Sequence, residues 1–272
     1  MQADRGVEMQ IGKGSRAVSG ICDARADRIE VRGRDLASEL MGRIGFTDYF
    51  YLLLTGREAS AKQRFFLDLL LVAIAEHGLV PTVQAARMTL AADPGSLQGA
   101  VAAGILGAGP VILGTSELCG RLLQEADARV AAGGQPEAVA LELVRAIRAA
   151  GGKVPGFGHP IHKPVDPRAQ RILELAAVHG ADGKHVDMSL HIEREVARVW
   201  GKPLVMNVSM PIAAVLLDLD FPAAMIKAIP LLARTASLLA HLAEEQKNPI
   251  GFLMAGKAEE AIAYEPDGDG DA

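Results

Sequence analysis

Pro155-Gly156-Phe157-Gly158-His159-Pro160-Ile161-His162-Lys163-Pro164-Val165-Asp166-Pro167-Arg168-Ala169 sets two glycines, two imidazoles, a lysine and an arginine at the mouth of a helix. Asp166 reads as the helix N-cap and Pro167 as its first residue, after which an amphipathic run continues to Gly180. Arg168 then falls in the first helical turn. A cation there opposes the helix dipole, so an anionic ligand explains its place better than helix stability does. Gly156 and Gly158 let the backbone approach a ligand closely, and His159 follows as a candidate acid, base or hydrogen-bond donor. The stretch reads as a site for a carboxylate-bearing substrate.

The rest of the chain sets that site in a helical frame. Its 272 residues allow one large domain or a domain with a lobe. Half of them are hydrophobic but only 4% aromatic, so the core is built of Ala, Leu, Val and Ile. A net charge of −5 and a pI near 5.8 argue against a nucleic-acid partner. Cys22 and Cys119 are too few for a disulfide framework or a zinc site, which points to a reducing cytoplasm. The first residues have no apolar signal core. The apolar runs 65–75 and 99–114 fall short of the roughly 20 residues that cross a bilayer. A soluble, cytoplasmic protein without a membrane partner is expected.

The expected fold is all-α, a large helical domain with a small helical lobe. Its expected parts are an N-terminal segment (1–27), the first part of the large domain (28–132), the lobe carrying the His159 motif (133–205), the rest of the large domain (206–264) and a disordered acidic tail (265–272). Gly133-Gly134 and Gly151-Gly152 are the hinge candidates. One strand is expected, over 28–32. Helices are expected over 47–54 behind a capping threonine, over 60–76 behind the capping box Ser60-Ala61-Lys62-Gln63, and over 97–106, 136–150, 187–200, 208–217 and 222–245. Pro230 is expected to kink the last.

His159 and His162 stand three apart, a spacing that suits metal ligands on a helix, but Pro160 and Pro164 exclude a helix there. No further ligand cluster is visible in the sequence, and no metal is expected. Arg234 lies in an apolar helix among Leu231, Leu232 and Leu238, so its charge needs either an ion-pair partner or a bound anion. His77, before Gly78, fits a helix-capping role as well as a functional one.

Residues 156–169 resemble the signature of the citrate synthase superfamily, especially its short citryl-CoA lyase-like members. Arg28-Ile29-Glu30-Val31-Arg32-Gly33-Arg34-Asp35 and Tyr51-Leu52-Leu53-Leu54-Thr55-Gly56 are similar to its N-terminal region, and 75–87 to its first histidine motif, with His77 in register. Asn207-Val208, then Ala233-Arg234-Thr235 and Ala240-His241, look like its C-terminal motif. The resemblance implies an enzyme that joins or splits an acyl-CoA and a 2-oxo (di)carboxylic acid. It makes His159 the catalytic donor to the keto carbonyl and His77 a further catalytic contact. Arg168 and Arg234 become carboxylate clamps, with His162 and Asn207 also on the substrate. Pro155, Gly156, Phe157, Gly158 and Lys163 would lie near coenzyme A, the acyl-CoA substrate being the only cofactor implied. A homodimer is implied too, and the small-residue helix over 97–106 suits close packing.

Two departures bear on the chemistry. In Gly109-Pro110-Val111-Ile112-Leu113-Gly114, Ile112 stands where the family pattern has its second histidine. Ser209 stands where the catalytic aspartate follows Asn-Val. Residues 248–252 also lack the arginine a synthase offers to a neighbouring subunit. Losing a general base costs about 10²–10⁴-fold and losing an oxyanion donor about 2.7–4 kcal/mol. Three readings follow: a citryl-CoA lyase-like enzyme with a different acyl partner, a citrate synthase-type activity at reduced rate, or a non-catalytic acyl-CoA or dicarboxylate binder. In the first, His162 or a substrate carboxylate stands in for the missing base.

Overall fold

A computed structural model describes residues 17–265. Most of the expected acidic tail and most of the expected N-terminal segment lie outside them. Two compact units divide at Ser60 and Ala61.

In the first unit the sequence expectation of one strand is corrected. Three short strands, β1 (Cys22–Ala24), β2 (Ile29–Val31) and β3 (Arg34–Asp35), form an antiparallel sheet in the order β1-β2-β3. Glu30 faces Asp35 and Val31 faces Arg34 across a two-residue turn. Both turn residues, Arg32 (φ 51°) and Gly33 (φ 80°), have positive φ, which matches the twist of a tight hairpin. Arg32 Nε donates to Leu53 O at 3.1 Å, tying the turn to α1 (Phe46–Thr55). Val31, Leu40 and Leu52 form the small core beneath. Gly45 is the N-cap of α1, so Thr47 sits inside the helix, and Gly56 ends it in the left-handed region.

The second unit is helical: α2 (Ala61–Ala75), α3 (Pro81–Ala92), α4 (Leu97–Leu106), α5 (Thr115–Ala131), α6 (Pro136–Ala149), α7 (Pro167–His179), α8 (Lys184–Trp200), α9 (Ser209–Asp218), α10 (Ala228–Glu245) and α11 (Gly251–Ala261). Helix α10 packs on α2, α3 and α4, while α9 packs on α5, α7 and α8. Seven consecutive residues of α9, from Met210 to Leu216, are buried, so this helix has no solvent face in its middle. The core between α3, α4 and α10 holds Val83, Ala86, Leu90, Ala100, Leu238 and Leu242. A Cβ on Gly104 would lie 2.6 Å from Leu238 Cδ1 and 2.8 Å from Thr82 O, so the small residue permits this close approach.

Two boundaries move for tertiary reasons. Helix α8 starts at Lys184, not 187, because the Asp218 carboxylate on α9 accepts from the His185 and Val186 N–H groups at 3.0 Å each. The segment 222–245 is a single 3₁₀ turn (Ala223–Met225) followed by α10. Pro230 therefore falls in the first turn of α10, where its missing N–H breaks no helical hydrogen bond, and the expected kink is replaced by a helix start.

The 23-residue stretch Ala223–Glu245, which holds an 18-residue window of mean hydropathy 1.4, is long and apolar enough to cross a membrane by length and composition. One face of it is core, with Ile229, Leu238 and Leu242 fully buried, while Met225 and Leu239 are exposed. A buried ion pair anchors its far end: Arg87 Nε donates to Glu245 Oε2 at 2.6 Å. The other Glu245 oxygen accepts from Ile250 N and Gly251 N at 2.9 and 2.7 Å, capping α11.

Candidate active site

The turn 155–166 is tied to the segment 205–209. Gly158 N donates to Val205 O at 2.7 Å, Asn207 N donates to Gly156 O at 2.8 Å, and Phe157 pairs with Met206 as an antiparallel bridge. The Asn207 side chain closes the stitch: Nδ2 donates to Gly158 O at 3.0 Å and Oδ1 accepts from Ser209 N at 3.1 Å. Gly156 has φ 82°, and a Cβ there would come within 2.8 Å of Met210 Cβ and 2.9 Å of Cys119 Sγ. Only glycine fits. Cys119 is fully buried, and burial pushes its thiol well up, so it is packing rather than a nucleophile.

Asp166 caps α7, and its role extends beyond the cap. Its Oδ1 accepts from Arg168 N and Nε, both at 3.0 Å, and Oδ2 from Arg168 Nη2 at 2.9 Å and Val208 N at 3.1 Å. Burial alone would raise this carboxyl, but the Arg168 hydrogen bonds and charge outweigh it and hold the pKa down. Arg168 in the first turn is thus offset by its own cap, leaving Nη1 as its uncommitted nitrogen.

Arg234 has no such partner among the described residues. It is 2% exposed, and its Nε and Nη1 are buried without a hydrogen bond. Burial lowers its pKa, the nearby Glu76 charge acts in the other direction, and the group remains a cation. Of the two possibilities the sequence left for Arg234, no ion pair to it is formed among the described residues.

His159 Nδ1 accepts from Ile161 N at 3.1 Å and His162 N at 2.9 Å. Backbone N–H groups can only donate, so the neutral ring carries its proton on Nε2. Burial lowers the His159 pKa first, and the charges of His162 and Arg168 lower it further. His77 is lowered likewise, by burial and then by Arg168 and His162. Its backbone is fixed by Glu76, whose Oε1 accepts from His77 N at 2.9 Å and Gly78 N at 2.6 Å. Glu76 Oε2 accepts from Ser237 Oγ at 2.6 Å and His241 Nε2 at 3.0 Å. Burial by itself would raise the Glu76 carboxyl, but these hydrogen bonds hold it at about 2.

The fold brings His77, Ile112, Gly158, His159, Arg168, Asn207, Ser209 and Arg234 to one cavity of about 290 Å³. A second cleft of about 790 Å³ shares Gly158 and His159 with it and is lined by Lys163 and Lys202. Gly156 lies beneath the turn against Met210, and Pro155 opens that turn. His162 stacks on His159 with ring centroids 4.4 Å apart and stands 5.2 Å from His77. The Nε2 atoms of His77 and His162 are buried with no partner.

The sequence offered no third ligand beside His159 and His162; the fold supplies one, since His77, His159 and His162 gather with ligand atoms within 4.8 Å of one another. The cluster nevertheless fits a cation poorly. Nδ1 of His159 is taken by two backbone donors, its Nε2 carries the proton, and Arg168 and Arg234 act on the same cluster as positive charges. It presents hydrogen-bond donors to an anion or a carbonyl. Asp166, Glu76 and Lys202 were not among the sequence-derived candidates. The sequence marked Asp166 as the helix N-cap but not as the partner of the Arg168 side chain.

Residues 24–251 match the family model of the citrate synthase C-terminal domain. The chain belongs to the citrate synthase family. Citryl-CoA lyase from Hydrogenobacter thermophilus superposes with a TM-score of 0.81 at 28% identity, over 94% of this chain and 97% of that one. Within the family the chain is therefore citryl-CoA lyase-like. A citrate synthase of Synechocystis sp. is 29% identical over 210 residues, 75% of this chain, and the chain spans about half the length of that curated relative. Citrate synthase from Thermotoga maritima shares the fold, with a TM-score of 0.66 at 23% identity over 84% of this chain and 59% of that one. The all-α, citrate synthase-like architecture expected from the sequence is the one found, with the three-stranded sheet added.

Proposed function

We propose that this chain is a citryl-CoA lyase-like enzyme that makes or breaks the C–C bond between the α-carbon of an acyl-CoA and the keto carbon of a 2-oxo (di)carboxylic acid. The observation that carries the reading is Arg234, a buried cation with two bare donor nitrogens in the same cavity as the His159 Nε2–H. In the condensing direction the enol carbon attacks the keto carbon and the carbonyl electrons move to oxygen. His159 Nε2–H hydrogen-bonds that oxygen as its charge grows, and the alkoxide takes its proton from water; cleavage runs the same steps backwards. The depressed pKa keeps His159 a neutral donor near pH 7. Arg234 and the free Nη1 of Arg168 hold carboxylate, each charge-assisted bond being worth about 1.5–3 kcal/mol.

His77 is a further contact on the reacting acid, and Asn207 holds the turn that carries His159. The bare Nε2 of His162 makes it the candidate for the proton transfer that Ile112 and Ser209 no longer perform. Coenzyme A belongs in the larger cleft, where the Lys163 and Lys202 ammonium groups suit its phosphates. A cytoplasmic homodimer with a small lobe over 133–205, and no resident metal, complete this reading.

The test is conversion of citryl-CoA to acetyl-CoA and oxaloacetate, and condensation of acetyl-CoA and other acyl-CoAs with 2-oxo acids, each followed by chromatography of the CoA thioesters. Turnover should fall about 10²–10⁴-fold in His159→Ala; turnover unchanged by that substitution sinks the proposal. A second reading, a non-catalytic binding protein, is favoured by Ile112 and Ser209 together, since neither side chain is suited to moving a proton at pH 7. Tight CoA binding with no turnover across the panel would establish it. Ile112→His with Ser209→Asp should raise citrate chemistry if the cleft is otherwise intact.

A further inference from the structure

We propose that the small cavity takes a saturated acyl chain of butanoyl to hexanoyl length, so that the acyl-CoA of the proposed reaction is longer than acetyl-CoA. This deepens the function proposed above and rests on its placing of coenzyme A in the larger cleft and the oxo acid among the arginines and histidines.

The two cavities meet at Gly158 and His159, which line both. A thioester whose phosphates lie near Lys163 and Lys202 enters the smaller cavity past that junction, and its acyl group lies beyond it. The oxo acid engages Arg168 Nη1, Arg234, His77 and His159 there. Little other polar surface is left. Thr115 Oγ1 donates to Pro110 O at 3.0 Å and Asn207 Nδ2 to Gly158 O at 3.0 Å, which leaves the Ser209 hydroxyl.

The rest of the lining is mainly aliphatic and comes from separate parts of the fold. Ile74 lies in the last turn of α2, Val80 precedes α3, Val111, Ile112 and Leu113 lie between α4 and α5, and Ile161 lies on the turn that carries His159. Val111 and Ile161 are 87% and 69% exposed, whereas Ile74 and Leu113 are buried. The methyl of an acetyl group covers little of such a surface. Each further methylene that replaces water against it gains about fourfold in affinity. Ile112, at the position where the family pattern has a histidine, thereby gains a use in holding the chain. The upper limit on length comes from the cavity, whose volume of about 290 Å³ is shared with the acid.

Isothermal titration calorimetry of the full chain compares CoA with acetyl-, butanoyl-, hexanoyl- and dodecanoyl-CoA. Each is titrated alone and beside malate, a diacid with no keto carbon to react. Affinity should rise about fourfold per methylene from acetyl to hexanoyl and level off before dodecanoyl. Ile112→Asn should flatten that rise. Val111→Ser, at an exposed position where folding is not at stake, should weaken hexanoyl-CoA about fourfold and leave CoA itself unchanged. A flat or falling series overturns the inference and leaves the lyase-like function standing. So does a series that keeps climbing to dodecanoyl, the mark of adsorption to any apolar surface. Failure of CoA and of every acyl-CoA to bind overturns both.

Discussion

Arg168 and Arg234 line the same cavity and are treated in opposite ways by the chain around them. Arg168 sits two residues from a buried carboxylate that satisfies three of its N–H groups, counting the backbone. Arg234 sits mid-helix among leucines with two nitrogens bare. The first arrangement is a self-neutralised strut that fixes the start of α7 against Val208. The second is a buried cation with no hydrogen bond to two of its nitrogens, which the proposed function assigns to a carboxylate because a desolvated cation is costly until an anion arrives.

The comparison can be broken most forcefully at the strut. Asp166→Ala leaves Arg168 unpaired and removes the acceptor for Val208 N, so unfolding free energy should fall by about 3–5 kcal/mol, read from urea denaturation. Arg234→Met should do the reverse. Ligand-free thermal stability should rise, while oxo-acid affinity should fall about 10–150-fold by calorimetry, the equivalent of one lost charge-assisted bond. Loss of stability in that variant would mean that Arg234 is structural after all.

The smallest effect concerns Glu76, which braces the His77 backbone. Its pKa lies at about 2 in the fold, below the ordinary 4.5. Its contribution is therefore complete above pH 4.5 and is lost as pH falls from 4.5 towards 2. Denaturation midpoints of the native protein and Glu76→Gln should differ at pH 6 and converge near pH 2. The difference is modest, because Glu76 is largely exposed.

Local punctuation made much of the frame legible. Helix 97–106 is found at the expected residues, and Pro136, Gly56 and Gly180 mark helix ends where their backbone preferences place them. What stayed hidden depends on distant partners. The early start of α8 is written in Asp218 on another helix, and two- and three-residue strands carry too little alternation to read. Pro230 misled because its effect depends on whether it stands at the start or the middle of a helix. At the site, motifs supplied His77, Ile112, Gly158, His159, Arg168, Asn207, Ser209 and Arg234 among the residues lining the cavity, but not its aliphatic side chains Ile74, Val80 and Leu113. They could not reveal that one arginine is neutralised, that the tautomer of His159 is set by two backbone donors, or that a third imidazole joins the pair.

Arg234 also bears on how the nascent chain is sorted. Helix α10 lies in the stretch that meets the hydropathy and length of a bilayer segment. On the scale by which the translocon admits helices, an arginine near the centre adds about 2.5–3.5 kcal/mol against insertion. The side chain that the proposed function gives to an anion thus also disfavours insertion of this helix into a bilayer. Replacing it with an apolar residue to stabilise the fold would trade a binding site for an insertion risk.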